Sequence, residues 1–169
     1  EITCRDWSSD VCSSDLVSTC NYRKMNMKFL VLSDTHGNIG LLEYVLHLYS
    51  EQVAGIIHCG DGVRDIAQIN LQKIKIPPCY SVKGNMDQHS NAPTLATINL
   101  EHKKVVFTHG HLLRLEAVLD DFVQLAKKEG AQAVLFGHTH IPLCKKKDGI
   151  FILNPGSLGK PRAIWGPSF

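Results

Sequence analysis

The sequence predicts an α/β fold whose core is a parallel β-sheet. Two observations lead to this prediction. Short apolar runs typical of buried strands recur along the chain, and in the first half an amphipathic segment with helical periodicity lies between successive runs. Consecutive parallel strands need such a crossover, and crossovers of this kind are right-handed. We therefore expect strand–helix–strand units in the first half of the chain.

The length and composition are those of one globular domain. At 169 residues the chain is long enough to build a single well-filled core. Hydrophobic residues make up 44% and charged residues 20%, which is not the composition of a disordered chain. The formal net charge of +2 is too small to favour nucleic acid or an acidic membrane as a partner. No apolar run approaches the length of a bilayer span, so we expect no membrane partner.

The cysteines and the N-terminus indicate a reducing compartment. The six cysteines include no Cys-x-x-Cys pair, and we interpret them as free thiols. The N-terminal residues lack the apolar core of a secretion signal. The sequence therefore predicts a cytoplasmic protein.

The first two dozen residues do not resemble the rest of the chain. They are rich in Ser, Asp and Cys and show no sustained period of either strand or helix. Two interpretations stay open: a disordered tail, or a foreign extension, since WSSDVCSSDL resembles the conceptual translation of a sequencing adapter. In either case we exclude residues 1–24 from the fold prediction and place the domain at residues 25–169.

The first half of the domain is predicted to contain three strands and two helices. In chain order the segments are KFLVLSD (strand), NIGLLEYVLHLYSEQ (helix), GIIHCGD (strand), VRDIAQI (helix) and CYSVKGN (strand). The longer helix begins after Asn38, a residue type that caps helices. Its apolar residues recur at helical spacing and share one face: Leu41, Leu42, Val45, Leu46 and Tyr49.

The second half is predicted to contain two hairpins, one helix and one further strand. TLATINL and KKVVFTHG form the first hairpin around EHKK, and AVLFGH is a buried strand. PLCKKKDGIFILNPGS forms the second hairpin, which turns at Asp148-Gly149. The helix LEAVLDDFVQLAKKEG ends before Gly130. Its inward-facing residues are expected to be Leu115, Val118, Leu119, Phe122 and Leu125.

Five of the predicted strands end in residues that bind metal ions, usually next to a glycine. The strand ends read LSDTHG, HCGDG, VKGNMD, VFTHGH and LFGHTH. Because the carboxyl ends of strands in open α/β sheets border one crevice, residues distant in sequence meet there. By themselves, LSDTHG, HCGDG and VKGNMD are more typical of turns or loops, and Gly-His-Thr-His is the most informative single motif. All five together favour a metal site. The candidate ligands are Asp34, His36, Asp61, Asn85, His109, His138 and His140.

Seven candidate ligands are too many for one tetrahedral zinc ion. They suit two divalent ions about 4 Å apart that share a carboxylate, as in two-metal phosphatases and nucleases. The mixture of carboxylate, imidazole and amide groups favours Mn, Fe, Zn or Ni over Ca or Mg. We therefore expect two divalent cofactor ions, with Mn as the first choice.

The order Asp-x-His, Gly-Asp, Gly-Asn, His and Gly-His-x-His resembles that of the calcineurin-like metallophosphoesterase superfamily. The chain length and the NPGSLGKPR segment resemble its small single-domain phosphodiesterase branch. This resemblance implies a calcineurin-like four-layer αββα sandwich, in which two mixed sheets are flanked by helices. Related chains continue through GPS into a final strand, so the resemblance also implies that the last strand is missing here.

The resemblance divides the candidate ligands into two groups, with Asp61 as the bridge between them. The first ion would be held by Asp34, His36 and His140. The second ion would be held by Asn85, His109 and His138. Two cations lower the pKa of a bridging water, so that a hydroxide attacks phosphorus near neutral pH. Asn85 and His109 would also bind the substrate phosphate, and Asn85 is a catalytic candidate.

One position departs from the family pattern. Many members carry a histidine after Gly-Asn as a candidate proton donor to the leaving group, whereas this chain has Met86, which cannot donate a proton. Leaving groups of low pKa should therefore be favoured. His89 and His111 are the candidate substitutes, and we name His111 as the catalytic candidate. Asp87 either orients a ligand or stabilises a turn.

The leading hypothesis is a metal-dependent phosphoric ester hydrolase, a phosphodiesterase that acts on a small phosphate ester. The alternative is a non-catalytic protein-binding module of the same fold, as in a retromer subunit, and this alternative predicts eroded ligands. A nuclease is disfavoured because the sequence shows neither an additional domain nor a marked basic surface. A homo-oligomeric state is left open.

Overall fold

The computed structural model describes residues 27–69, 75–113 and 118–169, with the side chain of Val118 excepted. The predicted extension 1–24 and Leu115 lie outside the described residues. The strands and helices in chain order are β1 (Phe29–Leu32), α1 (Ile39–Tyr49), β2 (Gly55–His58), α2 (Val63–Gln68), β3 (Cys79–Ser81), β4 (Leu95–Leu100), β5 (Lys103–Thr108), α3 (Val118–Glu129), β6 (Ala133–Leu135), β7 (Leu143–Lys147) and β8 (Ile150–Asn154). Each of these elements falls within a segment that the sequence assigns to the same type.

The first sheet contains β1, β2 and β3 in that order, and its strands are parallel. Side chains alternate between the two faces of a strand, and Leu30 and Leu32 of β1 belong to the same buried cluster as the apolar face of α1. The buried residues of α1 are Leu42, Val45 and Leu46. The predicted apolar face of this helix is therefore confirmed.

The cap predicted for α1 is also present. The backbone N–H of Leu41 donates a hydrogen bond of 3.3 Å to the side-chain oxygen of Asn38. One of the N–H groups that a helix leaves unpaired at its start is thereby satisfied. This cap, four residues after Asp34, sets the start of α1 at Ile39.

The second sheet has the order β4-β5-β6-β8-β7. Its central strands β5, β6 and β8 are parallel, whereas β4 and β7 join the edges as antiparallel hairpin partners. The turn between β7 and β8 has positive φ at both Asp148 (50°) and Gly149 (79°), as the tight two-residue turn of a hairpin requires. Phe122 and Ala126 of α3 share a buried cluster with Val106 of β5. Both predicted hairpins are confirmed.

The two sheets pack against each other through the faces that the helices leave uncovered. Ile57 and Val82, from β2 and the segment after β3, form one buried cluster with Val105, Phe107 and Leu135 of the second sheet. The order of layers is thus helices, sheet, sheet, helix, which confirms the four-layer sandwich. The first sheet is parallel throughout its described strands, not mixed, because helical crossovers connect them. The missing last strand stays a prediction.

The state of the cysteines differs in part from the prediction. Cys59 is buried and free, and Cys79 is exposed and free. Cys144 is disulfide-bonded, so the prediction of free thiols is wrong at this position. Its side chain is exposed on the edge strand β7, and the spacing of cysteines in the sequence does not reveal which of them form a disulfide. Among the described helices, none is long and apolar enough to cross a membrane.

Candidate metal centre

The candidate ligands lie where strands of both sheets end. Asp34 follows β1, Asp61 follows β2 and Asn85 follows β3, all in the first sheet. His109 follows β5 and His138 follows β6 in the second sheet. Because the sheets are stacked with these ends at the same side, the loops from both sheets border one site.

A first group of ligand atoms is formed by Asp34, His36 and His140. Each residue offers one carboxylate oxygen or ring nitrogen, and these three atoms all lie within 4.8 Å of one another. His140 Nε2 is 3.1 Å from Asp34 Oδ1 and His36 Nε2 is 3.7 Å from the same oxygen. The two Nε2 atoms are 3.2 Å apart. Ligands bound to one ion at about 2.1 Å are separated by roughly 3.0–3.4 Å in octahedral or tetrahedral geometry, so this group has the dimensions of an ion site.

The first group also passes a test of chemical fit. Asp34 Oδ1 is buried and has no hydrogen bond among the described residues, although His140 Nε2 is close to it. Its other oxygen, Oδ2, accepts hydrogen bonds from Ser33 Oγ (2.7 Å) and from the backbone N–H of His138 (2.9 Å). A buried carboxylate oxygen without a hydrogen bond costs free energy unless a cation binds it. A divalent ion fits this requirement.

A second group of atoms surrounds Asp61. His109 Nε2 lies 3.5 Å from Asp61 Oδ2 and 3.2 Å from the side-chain oxygen of Asn85. Asp61 Oδ2 is also 3.8 Å from His36 Nε2, which belongs to the first group. Atoms of Asp34, Asp61 and His109 lie within 4.8 Å of one another. Asp61 is therefore adjacent to both groups, in the position that a bridging carboxylate would take.

His138 is a candidate ligand that lies beside the centre. Its ring centroid is 5.0 Å from that of His109. Its nitrogen atoms are not in either described group of atoms that lie within 4.8 Å of one another. The structure therefore places His138 beside the second group, and its role as a ligand stays a prediction.

Two histidines are oriented by backbone carbonyl groups. His109 Nδ1 is 2.8 Å from the carbonyl oxygen of Cys59, and His140 Nδ1 is 2.6 Å from that of Lys160. A carbonyl oxygen only accepts, so in each ring Nδ1 carries the donated proton. Nε2 of each ring then faces the centre. In the neutral ring its lone pair can bind a metal ion, the usual arrangement of metal-binding histidines, whereas in the protonated His109 ring it donates to Asp61.

The backbone at the centre is strained. A positive φ is uncommon outside glycine and costs about 1–2 kcal/mol per residue. Among the described non-glycine residues, the two that have positive φ elsewhere are Glu101 and Asp148 in hairpin turns. The others are all candidate ligands, with φ between 44° and 67°: Asp34, His36, Asp61, His138 and His140. Such strain collects at functional sites.

Asp87 holds the loop that carries Asp61. Its two carboxylate oxygens accept hydrogen bonds from the backbone N–H groups of Asp61 (2.8 Å), Gly62 (3.1 Å), Val63 (3.1 Å) and Gly84 (2.9 Å). These bonds tie the ends of β2 and β3 together. Asp87 therefore fixes the backbone of a candidate ligand, so both interpretations made from the sequence apply to it.

A further buried network was missed by the sequence analysis. Asp65 Oδ2 accepts hydrogen bonds from the hydroxyl of Thr35 and from the backbone N–H of Gly37 (2.9 Å). Thr35 Oγ1 is also 3.3 Å from Nε2 of His58, a fully buried histidine. These contacts clamp the loop between Asp34 and His36. The one signal in the sequence is the spacing of Asp65, four residues after Asp61.

Electrostatics set the protonation states of the second group and its neighbours. Burial acts to raise the pKa of Asp61, but hydrogen bonds from His109 and from the Met86 backbone outweigh it, so the pKa is lowered. Burial lowers the pKa of His36 and of His138. The pKa of His109 is raised, because its contacts with Asp61 and other negative charges outweigh burial. Ionised Asp61 and neutral His36 and His138 near pH 7 are the states that bind cations.

The two candidate proton donors occupy different places. The His111 ring centroid is 5.4 Å from that of His109 and 6.3 Å from that of His138, so His111 borders the second group. His89 lines an open cleft together with Met86, whose side chain is 64% exposed. Burial lowers the pKa of His111. Both histidines lie near the centre, and their catalytic roles stay predictions.

The fold and the centre together define a class of protein. A four-layer αββα sandwich with carboxylate, imidazole and amide groups at converging strand ends is that of a metal-dependent phosphoesterase. The chain belongs to the calcineurin-like phosphoesterase superfamily, because the family model of that superfamily domain matches residues 27–169. The family recognised from the sequence motifs is confirmed.

Curated relatives support the same class. The chain is 30% identical over 136 residues to the probable metallophosphoesterase YsnB of Bacillus subtilis, covering 80% of this chain and 78% of that protein. It is 27% identical over 157 residues to the phosphodiesterase YfcE of Escherichia coli, covering 80% of this chain and 82% of that protein.

Solved structures match the fold. A conserved Streptococcus pneumoniae protein described as a predicted phosphoesterase superposes with a TM-score of 0.68 at 32% identity, covering 80% of this chain and 75% of that one. Vps29 of Chaetomium thermophilum superposes with a TM-score of 0.66 at 17% identity, covering 80% and 74%. At 17% identity, the likeness to Vps29 shows a shared fold and no more. The same fold is thus found in a protein described as a predicted phosphoesterase and in Vps29.

Proposed function

We propose that this protein is a phosphodiesterase that hydrolyses a small phosphate ester with two divalent metal ions. The observation that carries the proposal is the position of Asp61, whose Oδ2 is 3.8 Å from His36 Nε2 and 3.5 Å from His109 Nε2. A single carboxylate between two groups of nitrogen and oxygen donors is the arrangement that a two-ion centre needs. The name of the relative YfcE supports the diesterase activity.

The candidate ligands divide between the two ions as the resemblance implies. The first ion would be held by Asp34, His36 and His140, and the second by Asn85, His109 and His138. Asp61 would contribute to both sites, and Mn is the first choice of metal. When bound, two divalent ions supply a hydroxide at neutral pH and neutralise the charge on phosphoryl oxygens. Asn85 and His109 orient the phosphate for in-line attack.

The leaving group of the proposed reaction needs a proton donor other than residue 86. Met86 lies exposed in the cleft beside Asp61 and has no proton to donate. His111 is our candidate donor, because its ring borders the second group of ligands. We therefore expect aryl and other leaving groups of low pKa to react faster than alkyl groups.

The alternative is a non-catalytic protein-binding module. We consider it because the chain shares its fold with Vps29. That alternative predicts eroded ligands, whereas all seven candidate positions carry metal-binding residue types. Nuclease activity is a weaker candidate, since the net charge is only +2. A cytoplasmic location belongs to the proposal too, and cell fractionation would test it.

The test is to purify the full chain, measure bound metal by elemental analysis, and assay hydrolysis of bis(p-nitrophenyl) phosphate with and without added Mn. We expect bound divalent metal and hydrolysis that rises with Mn. Far-ultraviolet circular dichroism shows whether the chain is folded. A folded protein with neither bound metal nor Mn-stimulated hydrolysis would overturn the enzyme proposal in favour of the binding module.

A further inference from the structure

A cleft opens from the candidate metal centre on the side of the first sheet. Its volume is ≈ 380 Å³, which is within the range of small-molecule sites. His36 and Asp61 form its inner end, and Met86 and Gln68 form part of its walls. A substrate whose phosphate lies at the metal ions therefore extends into this cleft.

Two cationic side chains line the cleft, Arg64 and Lys160. Both are exposed. Arg64 makes one long hydrogen bond, of 3.4 Å, from Nη2 to the backbone carbonyl oxygen of His89. In the parts of the chain that the structure describes, neither cation has a carboxylate within 4.0 Å of its nitrogen atoms. Most of the five N–H donors of the guanidinium and the three of the ammonium are thus directed to solvent or to a ligand.

The backbone of Lys160 is fixed to the metal centre. Its N–H donates to Ser157 Oγ (2.8 Å), and its carbonyl oxygen accepts from His140 Nδ1 (2.6 Å). Because His140 belongs to the first ligand group, the side chain of Lys160 starts at a defined distance from the ions. Arg64 lies in α2 next to Asp65, whose side chain accepts hydrogen bonds from Thr35 and from the backbone N–H of Gly37.

The carboxylates that line the same cleft do not neutralise these cations. Asp87 accepts four backbone hydrogen bonds. Asp65 accepts from Thr35 and from the backbone of Gly37, and Asp61 faces the metal centre. Their oxygens are turned into the protein, while the two cations are turned to the cleft. The open part of the cleft therefore favours an anion.

We propose that Arg64 and Lys160 bind a second phosphate group of the substrate, separate from the phosphodiester that reacts at the metal centre. Guanidinium and ammonium groups bind phosphate through charge-assisted hydrogen bonds, and Arg does so with two parallel bonds. The exposed thioether of Met86 offers an apolar surface for a base or another ring between the two phosphates. The substrate class is a phosphodiester of a nucleoside or similar compound that carries an additional phosphate. This inference rests on the proposed function for the identity of the reacting group.

The test compares two substrates that release the same leaving group. Thymidine 5′-(p-nitrophenyl phosphate) and its 3′-phosphorylated derivative differ only in the additional phosphate. We expect kcat/KM to be about tenfold higher for the 3′-phosphorylated compound, mainly through KM, as one or two charge-assisted bonds would give. Arg64→Gln and Lys160→Gln should each reduce this ratio severalfold.

A matched control separates a local site from general electrostatic attraction. Lys145→Gln removes the same charge from an exposed position on β7 that is not part of the cleft lining. The ratio should stay at the wild-type value in this variant. Equal reductions in all three variants would overturn the site, because the preference would then come from the net charge.

A binding measurement gives a readout that does not depend on turnover. Isothermal titration of the Mn-loaded protein should show thymidine 3′,5′-bisphosphate binding about tenfold more tightly than thymidine 5′-monophosphate, and Arg64→Gln should reduce the difference. Hydrolysis of both substrates at equal kcat/KM, with equal binding of both nucleotides, would overturn this inference and leave the proposed function intact. Preferential binding of the bisphosphate without any hydrolysis would support the anion site and count against the phosphodiesterase.

Discussion

At the scale of single residues, the centre depends on carboxylates that have different partners. Asp61 faces donors of both ligand groups, whereas Asp87 and Asp65 bind backbone N–H groups of the loops that carry the ligands. All three lie within a stretch of 27 residues, and it is the groups they contact that distinguish the candidate ligand Asp61 from the supporting residues Asp65 and Asp87. Substitutions of Asp61 and Asp65 should therefore have different effects.

Removal of Asp61 should affect both ions. We expect Asp61→Ala to lose bound metal and to lower kcat/KM by more than about 100-fold, since loss of supporting residues alone costs 10–100-fold. His111→Ala should retain both ions and lower activity less, because His111 borders the centre without joining either group of ligand atoms. Elemental analysis and the aryl phosphodiester assay measure both effects. Equal losses of metal and activity in the two variants would contradict the bridging position.

Asp65 should be a positioning residue whose loss affects both stability and metal binding. Its side chain is 6% exposed and accepts hydrogen bonds from Thr35 and Gly37. Asp65→Ala should lower the free energy of unfolding by about 2–3 kcal/mol, as expected for two lost bonds to a charged group. It should also weaken metal binding, because the loop between Asp34 and His36 is released.

Urea unfolding and metal titration would measure these effects of Asp65→Ala. Asp120→Ala is the matched control, since Asp120 is 67% exposed and pairs with Lys147 of β7 at the protein surface, where ion pairs contribute little to stability. A variant at Asp65 that is as stable as this control, with unchanged metal affinity, would show that the network has no positioning role.

At the scale of elements, the centre is built by loops, and the sheets serve to align them. Five strands end at the centre, and after four of them (β1, β2, β5 and β6) the backbone turns through residues with positive φ that direct the side chains inward. The turn between β7 and β8 also has positive φ, at Asp148 and Gly149, but it only connects two strands. Alanine substitutions at Gly137 and Gly149 should distinguish a loop at the centre from a turn of this kind.

Gly137→Ala and Gly149→Ala should differ in their effect on metal binding. A Cβ at Gly137 would overlap Ser33 Oγ and lie 2.8 Å from Asp34 Oδ2, so it would disturb a buried ligand. A Cβ at Gly149 meets no atom within 4 Å, and its cost, about 1–2 kcal/mol, comes from its φ of +79°. Metal titration should show weaker binding for Gly137→Ala alone. Equal metal affinities in the two variants would contradict the close packing of Gly137 against the centre.

At the scale of the whole molecule, the centre connects the two sheets. Asp34 and Asp61 come from the first sheet, and His109 comes from the second. The same sheets are joined behind the centre by the cluster that contains Ile57 and Phe107. Ions bound between the strand ends would therefore contribute to the stability of the sandwich.

Removal of metal should lower the thermal stability of the whole domain. At a free metal concentration of about 100 times Kd, the ions would stabilise the native state by about 2.7 kcal/mol, which corresponds to about 5–10 °C in Tm. We expect a chelator to lower Tm by this amount and added Mn to restore it. Differential scanning calorimetry would measure the shift. The Asp61→Ala variant is the control, and a chelator effect of the same size there would exclude the centre as its cause.

His58 should make the stability of the domain depend on pH. It is fully buried, its Nδ1 accepts from the backbone N–H of Gly60 (3.2 Å), and its Nε2 faces Thr35. Burial lowers the pKa of His58 below 6.5 in the folded state. The unfolded chain then binds more protons in acid, so the native state loses stability as the pH falls through 6.5.

The size of this effect is set by the unfolded state. Between pH 7.5 and 5.5 the contribution of His58 should reduce the free energy of unfolding by up to about 1.4 kcal/mol. His58→Gln should have a smaller pH dependence than the wild type in urea unfolding, with His102→Gln in the turn between β4 and β5 as the control. An identical pH dependence in both variants would contradict a neutral, buried His58.

Much of the fold was predictable because its signals are local. Asn38 caps α1, Leu42 and Leu46 follow a helical period, and Asp148-Gly149 suits a tight hairpin turn, so short stretches suffice to recognise each. The ordered motifs at the strand ends also identified the candidate ligands, since the motif order is a property of the chain. The exceptions are contacts between distant residues, such as the disulfide of Cys144.

The sequence by itself determined the elements, the family and the set of metal-binding residue types. Only the tertiary structure decided that Asp61 lies between His36 and His109, that Lys160 orients His140, and that Asp65 clamps the loop after β1. The physical reason is that a turn or a helical face depends on residues a few positions apart. Distances between strand ends depend instead on how two whole sheets pack, and no short stretch of sequence encodes that packing.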